Sequence, residues 1–280
     1  MERRLGRLAR LSIAGAMVLA VAAPVSAASD SMVRVLHASP DAPEVDVYVN
    51  GDKVDALSGL SFGDLSAYVA VPGGTYAIKV CATADATVCP IDVAALDIAA
   101  GTHYTIAATN ALATIEAQVL VDDPSPTAGK AQARVVHFSA DTPAVDVLTQ
   151  DKSAKVVENL AYPDATDYLT LDPGSYDLIV CASADNTVCP LDPGALDLAG
   201  GTSYSVFAIG SLTGDSLTAA VGVDGVAAAA APTAPATDTI ASTESAPVNA
   251  GASLALLAAI GGLAFLASGT WLMRRVRQDQ

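Results

Sequence analysis

Two tandem all-β domains, each an Ig-like, Greek-key β-sandwich, are predicted by three observations on this 280-residue chain. Its middle is written twice, its apolar residues fall in short runs alternating with period two, and no long helical period interrupts them. The duplication is visible in Arg34-Val35-Leu36-His37-Ala38-Ser39-Pro40-Asp41 against Arg134-Val135-Val136-His137-Phe138-Ser139-Ala140-Asp141. Further on, Cys81, Cys89, Pro90, Asp92, Asp97 and Tyr104 return as Cys181, Cys189, Pro190, Asp192, Asp197 and Tyr204, with roughly two positions in five identical. The copies are expected to stay in register from end to end.

Within repeat 1, strands are expected over 33–36, 45–49, 68–71, 76–80, 104–108 and 117–121, with Gly, Pro, Asn or Asp in the gaps. About seven strands at this spacing favour a sandwich. Asn50-Gly51 suits a two-residue hairpin turn, because both residues tolerate positive φ; Gln150-Asp151 stands there in repeat 2. Gly74-Thr75-Tyr76 and Gly174-Ser175-Tyr176 read as turn-to-strand junctions, with Tyr76 and Tyr176 as corner tyrosines whose rings face the core and whose hydroxyls bond backbone.

Four cysteines at matching places point to disulfides, and of three possible connectivities Cys81 with Cys89 and Cys181 with Cys189 keeps each bond inside one repeat. Closing a loop this short is worth ~2.5 kcal/mol in the chain-entropy picture, useful to a domain of about ninety residues. A four-thiolate zinc site is the rival, but seven residues between thiols exceed its usual spacing.

The ends carry an address. Arg3, Arg4, Arg7 and Arg10 precede an apolar stretch and Val25-Ser26-Ala27, the pattern of a signal peptide, assigned to 1–28. A second apolar run, 252–273, is followed by Arg274, Arg275 and Arg277, as expected of a transmembrane helix with a cytoplasmic tail at 274–280. No Leu-Pro-x-Thr-Gly precedes it, so plain anchoring is preferred to wall sorting. Between the ends lie repeat 1 at 32–122, a linker at 123–130, repeat 2 at 131–224 and an Ala/Pro/Thr stalk at 225–251, whose composition disfavours a packed core. The expected location is the cell membrane, single-pass, with both repeats outside.

Net charge is −16. The terminal segments hold about half the basic residues, so the part between them carries about seven Lys and Arg against about twenty-eight Asp and Glu. Such a surface repels nucleic acid and disfavours it as a partner.

Candidate chemistry is sparse. His37, Asp41 and Asp46 repeat as His137, Asp141 and Asp146, and could converge on calcium or a transition metal. The same Ser, Asp and Pro types also build a turn between strands, which is the preferred reading. No Gly-x-Ser-x-Gly, no His-Glu-x-x-His and no unpaired cysteine argues for a hydrolase. His103 has Ser203 as its counterpart, and Trp271, the sole tryptophan, lies in the apolar tail. The abundance of acids leaves carboxylate pairs for glycoside hydrolysis without diagnostic weight.

The Val-x-His-x-Ser-x-Asp-x-Pro-x-Val-Asp-Val segments, the Gly-Thr-Tyr and Gly-Ser-Tyr junctions and the later Gly-Thr-x-Tyr resemble the bacterial domain of unknown function 4397, over both repeats. The resemblance implies exported, often tandem β-sandwiches and no particular activity. The functional expectation is a non-enzymatic surface protein without a cofactor, meeting an extracellular protein or envelope component. A calcium-binding module is the alternative, and an extracellular hydrolase a third.

Overall fold

The computed structural model describes residues 29–227. The expected signal peptide, most of the stalk, the membrane segment and the tail lie outside them.

Repeat 1 contains eight strands: β1 (Ser31–His37), β2 (Val45–Val49), β3 (Asp52–Lys53), β4 (Val69–Val71), β5 (Gly74–Ala82), β6 (Ile91–Ile98), β7 (His103–Thr109) and β8 (Glu116–Asp122). Repeat 2 follows with β9 (Ala131–Phe138), β10 (Val145–Thr149), β11 (Lys155–Leu160), β12 (Leu169–Leu171), β13 (Gly174–Ala182), β14 (Ala195–Leu198), β15 (Thr202–Ile209) and β16 (Thr218–Val226). Each repeat is two four-stranded sheets, ordered β4-β1-β7-β8 and β3-β2-β5-β6 in the first, β12-β9-β15-β16 and β11-β10-β13-β14 in the second. The all-β sandwich expectation holds, and in both copies the first strand runs parallel to the seventh.

Strands β3 and β6 are additions to the sequence reading. The first is two residues long, and Ile91-Asp92-Val93-Ala94-Ala95-Leu96-Asp97-Ile98 lacks clean alternation because β6 is an edge strand, buried at its ends, with only Val93 and Leu96 partly covered between them. Asn50 and Gly51 take φ of 52° and 94° and close the β2–β3 hairpin with Val49 paired to Asp52. In repeat 2 the connection is longer. Lys152 takes the positive φ, and Asp151 accepts bonds from Thr149 Oγ1, Ser153 N and Ser153 Oγ.

Register is not kept to the end, which corrects the expectation. Thr109 pairs with Glu116 across the β7–β8 connection, whereas Ile209 pairs with Thr218, so the second connection is two residues longer. Both disulfides form as expected, Cys81 with Cys89 and Cys181 with Cys189. Tyr76 and Tyr176 donate their hydroxyls to Pro72 O and Asp172 O at 2.8 and 2.7 Å, four residues upstream.

The first strand of each repeat is buried on both faces. Val33 and Val35 point between their own sheets with Val45, Val47 and Ile106, while Leu36 and Ala38 meet Val136, Phe138, Phe207 and Ile209 of the other repeat. The repeats therefore share a core, and Phe138 stacks on Phe207 with centroids 6.1 Å apart.

Beside this apolar patch lies a crossed pair of ion pairs. Arg34 donates Nε to Thr105 Oγ1 of its own repeat (2.8 Å), Nη1 to Val223 O (2.9 Å) and Nη2 to Asp224 of the other repeat. Arg134 copies the pattern in reverse: Nε to Ser205 Oγ (2.8 Å), Nη1 to Val121 O (2.8 Å) and Nη2 to Asp122. Asp122 accepts further bonds from Thr105 and Tyr68, Asp224 from Ser205 and Tyr168. The guanidinium groups lie over the Tyr68 and Tyr168 rings, 4.6 and 4.9 Å from the centroids. Gly222 permits the approach, since a Cβ there would stand 2.6 Å from Arg34 Nη1 and 2.5 Å from Leu65 Cδ2.

Two buried cations facing two buried anions balance, but removing one leaves a charge without a counterion, which typically costs 3–5 kcal/mol. Arg34→Leu is expected to lower stability by about that amount and to let the repeats unfold in separate steps. Urea denaturation followed by circular dichroism, with the Arg34→Leu/Asp224→Leu double variant regaining part of the loss, checks it.

Candidate functional site

The two connections following the first strand, 38–44 and 139–144, lie at the same end of the body as the β7–β8 and β15–β16 connections. The strand before each ends in or next to a histidine, His37 and His137, buried to 0% exposure. His37 Nε2 lies 3.0 Å from Pro43 O and His137 Nε2 3.3 Å from Pro143 O. A carbonyl can only accept, so Nε2 carries the proton and each ring ties its loop back onto the sheet. Burial pushes the His137 imidazole below its ordinary pKa, against backbone hydrogen bonds that favour the cation.

The copies differ one layer further in. Ser139 N donates to His137 Nδ1 (3.3 Å), and Ser139 Oγ shares a 2.7 Å hydrogen bond with Thr142 Oγ1. Repeat 1 has Ala42 at the position of Thr142, and there both His37 Nδ1 and Ser39 Oγ are buried without a partner. A buried hydroxyl that gains a partner typically contributes about 1 kcal/mol. Ala42→Thr is expected to raise stability by roughly that much, read as a higher midpoint in urea.

Asp41 and Asp141 fix the neighbouring connection. Asp41 Oδ1 accepts from Leu112 N (2.7 Å), and Asp141 accepts from Leu212 N, Thr213 N, Ser211 Oγ and Thr213 Oγ1 at 2.6 to 2.9 Å. Partial burial opposes ionisation of Asp141, but those hydrogen bonds outweigh it and hold the carboxyl far below the usual range.

Asp46 and Asp146 sit elsewhere, on β2 and β10. Asp46 accepts from Lys53 Nζ (2.6 Å), Gly59 N (2.9 Å) and Thr83 Oγ1 (3.1 Å). Asp146 accepts from Asn159 N (2.8 Å), Ser183 Oγ (2.6 Å) and Asn186 Nδ2 (2.9 Å), with Lys155 Nζ at 2.7 Å. Desolvation works against both carboxylates, and the donors prevail, lowering both pKa values. The structure thus gives His37, Asp41 and Asp46 three separate sets of partners; in repeat 2 Ser139 bonds both His137 Nδ1 and Asp141 Oδ1, and Asp146 stands apart. Among the described residues no three His, Cys, Asp or Glu side chains are grouped to hold a metal ion.

What the loops do build is a polar cleft of about 560 Å³, lined by both repeats. Pro40, Asp41 and Asn110 of repeat 1 line it together with their counterparts Ala140, Asp141 and Gly210 of repeat 2. Asn110 and Gly210 end β7 and β15 at φ of 69° and 98°, and a Cβ on Gly210 would lie 2.3 Å from Ser216 O. Sequence reasoning picked out Asp41 and Asp141 but not the cleft, because nothing in one repeat reveals that the other is packed against it.

Lowered carboxyl pKa values mean that the unfolded chain takes up protons first as acid is added. The stability contributed by Asp46, Asp141 and Asp146 is complete above the ordinary aspartate range, about pH 4, and lost below it. The His137 contribution is complete above about pH 6.5 and fades below. Thermal melting from pH 7 to pH 2 is expected to show a fall in midpoint on the acid side, and Asp146→Asn to lower the midpoint at pH 7 while flattening the lower part of that fall.

No curated protein matches the chain. Among solved structures, the C-terminal domain of AlgF from P. aeruginosa is similar over 34% of this chain and 98% of that one, at 21% identity and a TM-score of 0.28. The family described as Domain of unknown function (DUF4397) matches residues 31–148 and 145–236. With matches in tandem over most of its length, the chain belongs to the DUF4397 family.

Proposed function

We propose that the protein is a non-enzymatic binding module of the cell surface, which presents the cleft between its two repeats to an extracellular protein or envelope component. The observation that carries this reading is the cleft itself, polar, about 560 Å³ in volume and built from matching loops of both copies. Its walls are positioned by His37, His137, Asp41 and Asp141, side chains whose bonding holds loops in place. The signal-like and apolar terminal segments support an outside address, as does the pairing of all four cysteines, since disulfides persist where the surroundings are oxidising. The acidic surface favours partners that are neutral or basic.

Photocrosslinking on intact cells tests the proposal. A crosslinker placed at Thr114 is expected to capture a discrete partner, and Ser216→Arg, which fills the cleft from the other repeat, to reduce that capture at least tenfold. Undiminished capture by Ser216→Arg would remove the cleft from the reading. Turnover of an ester, peptide or glycoside that one substitution abolishes would replace the reading with an enzyme.

A further inference from the structure

The sheets of each sandwich do not close fully on one another. In repeat 1 a cavity of about 220 Å³ lies between them, and repeat 2 holds a counterpart of about 100 Å³ in the same place. Val35, Val47 and Tyr76 line the first, and Val135, Val147 and Tyr176 the second. Every other lining side chain is aliphatic or a proline, and the hydroxyls of Tyr76 and Tyr176 are spent on backbone carbonyls.

That chemistry restricts the occupant. Water needs two to four polar partners and an ion or sugar needs more, and these walls offer none. Facing sheets stand about 10 Å apart, so a gap between them is one side-chain layer thick and accepts a thread of methylenes better than a ring system. Half-buried Val69 and Val71 of edge strand β4 line this cavity together with Val49 and Val54, giving it a route to the surface. Outside, the net charge of −16 disfavours an anionic headgroup. The linings differ at several positions: Val33 and Ile106 in repeat 1 are the smaller Ala133 and Val206 in repeat 2, whereas Val69 and Val71 on edge strand β4 are the larger Leu169 and Leu171 on β12, which narrows the entry side of the second cavity.

We infer that repeat 1 binds one unbranched aliphatic chain carried by an uncharged or cationic headgroup, inserted between its sheets past β4. Repeat 2 takes a shorter chain, and more weakly.

Both disulfides and the four apolar clusters found among the described residues lie within 29–227, so this body is the unit to test. Titration with 1-octanol, followed by methyl resonances and by melting temperature, uses a probe of the stated chemistry. Val47 and Ile106 methyls are expected to shift saturably, and the melting temperature to rise with octanol concentration, because a ligand bound only to the folded state stabilises it. Val69→Leu/Val71→Leu installs the side chains repeat 2 already tolerates. It is expected to leave the fold intact and weaken binding in repeat 1 at least tenfold, and Leu169→Val/Leu171→Val to strengthen binding in repeat 2. Methyl resonances that do not move with octanol would overturn the inference, as would equal binding by the wild-type body and the Val69→Leu/Val71→Leu variant. Neither result bears on the cleft between the repeats, which lies at the loop end of the body.

Discussion

Arg34 and Arg134 each cross from their own sheet to a carboxylate of the other repeat, and the architecture is organised about that exchange. A guanidinium buried to this extent is tolerable only when its donors are used, and here the donors of both go to the partner carboxylate, a backbone carbonyl and a hydroxyl on the neighbouring strand. The hydroxyl is supplied because the first strand runs parallel to the seventh, setting Arg34 beside Thr105 and Arg134 beside Ser205. Parallel pairing within a sandwich thus fixes the relation between sandwiches. Ion pairs of this kind contribute little net stability against an apolar filling of equal volume, but they penalise any other docking of the two surfaces.

The single-repeat level of the fold was legible. Short alternating runs gave six of the eight strands of repeat 1, Asn50-Gly51 the tight hairpin, and the cysteine spacing the disulfides, each a local signal with a local cause. The inter-repeat level was not. Arg34 returns as Arg134 at an offset of one hundred, yet their partners Asp122 and Asp224 are offset by one hundred and two, because two residues are inserted between β15 and β16. That insertion hid the symmetry of the carboxylates. Alternation also gives no hint that Leu36 or Phe138 is buried against another domain, since an outward apolar residue on a two-sided strand reads the same in either case.

The metal reading and the turn reading of His37, Asp41 and Asp46 used one residue set for two chemistries. The structure distributes the three over a loop tie, a connection anchor and a cluster around Lys53. Residues close in sequence at a strand end need not be close in their bonding. The strand exits between them, and Asp46 on β2 bonds Gly59 and Thr83, both far along the chain.

The last strand has a consequence for how the body is made. Asp224 stands 190 positions after Arg34, and β16 is where both the second sandwich and the shared charged layer are completed. A first repeat that folds early is left with both charges awaiting counterparts: Asp122 meets Arg134 only twelve positions on, but Arg34 has no Asp224 until nearly the whole body is available. Assembly is thereby made dependent on the far end of the molecule, so a chain cut short before β16 lacks more than its final strand: its opening strand also remains electrostatically unfinished.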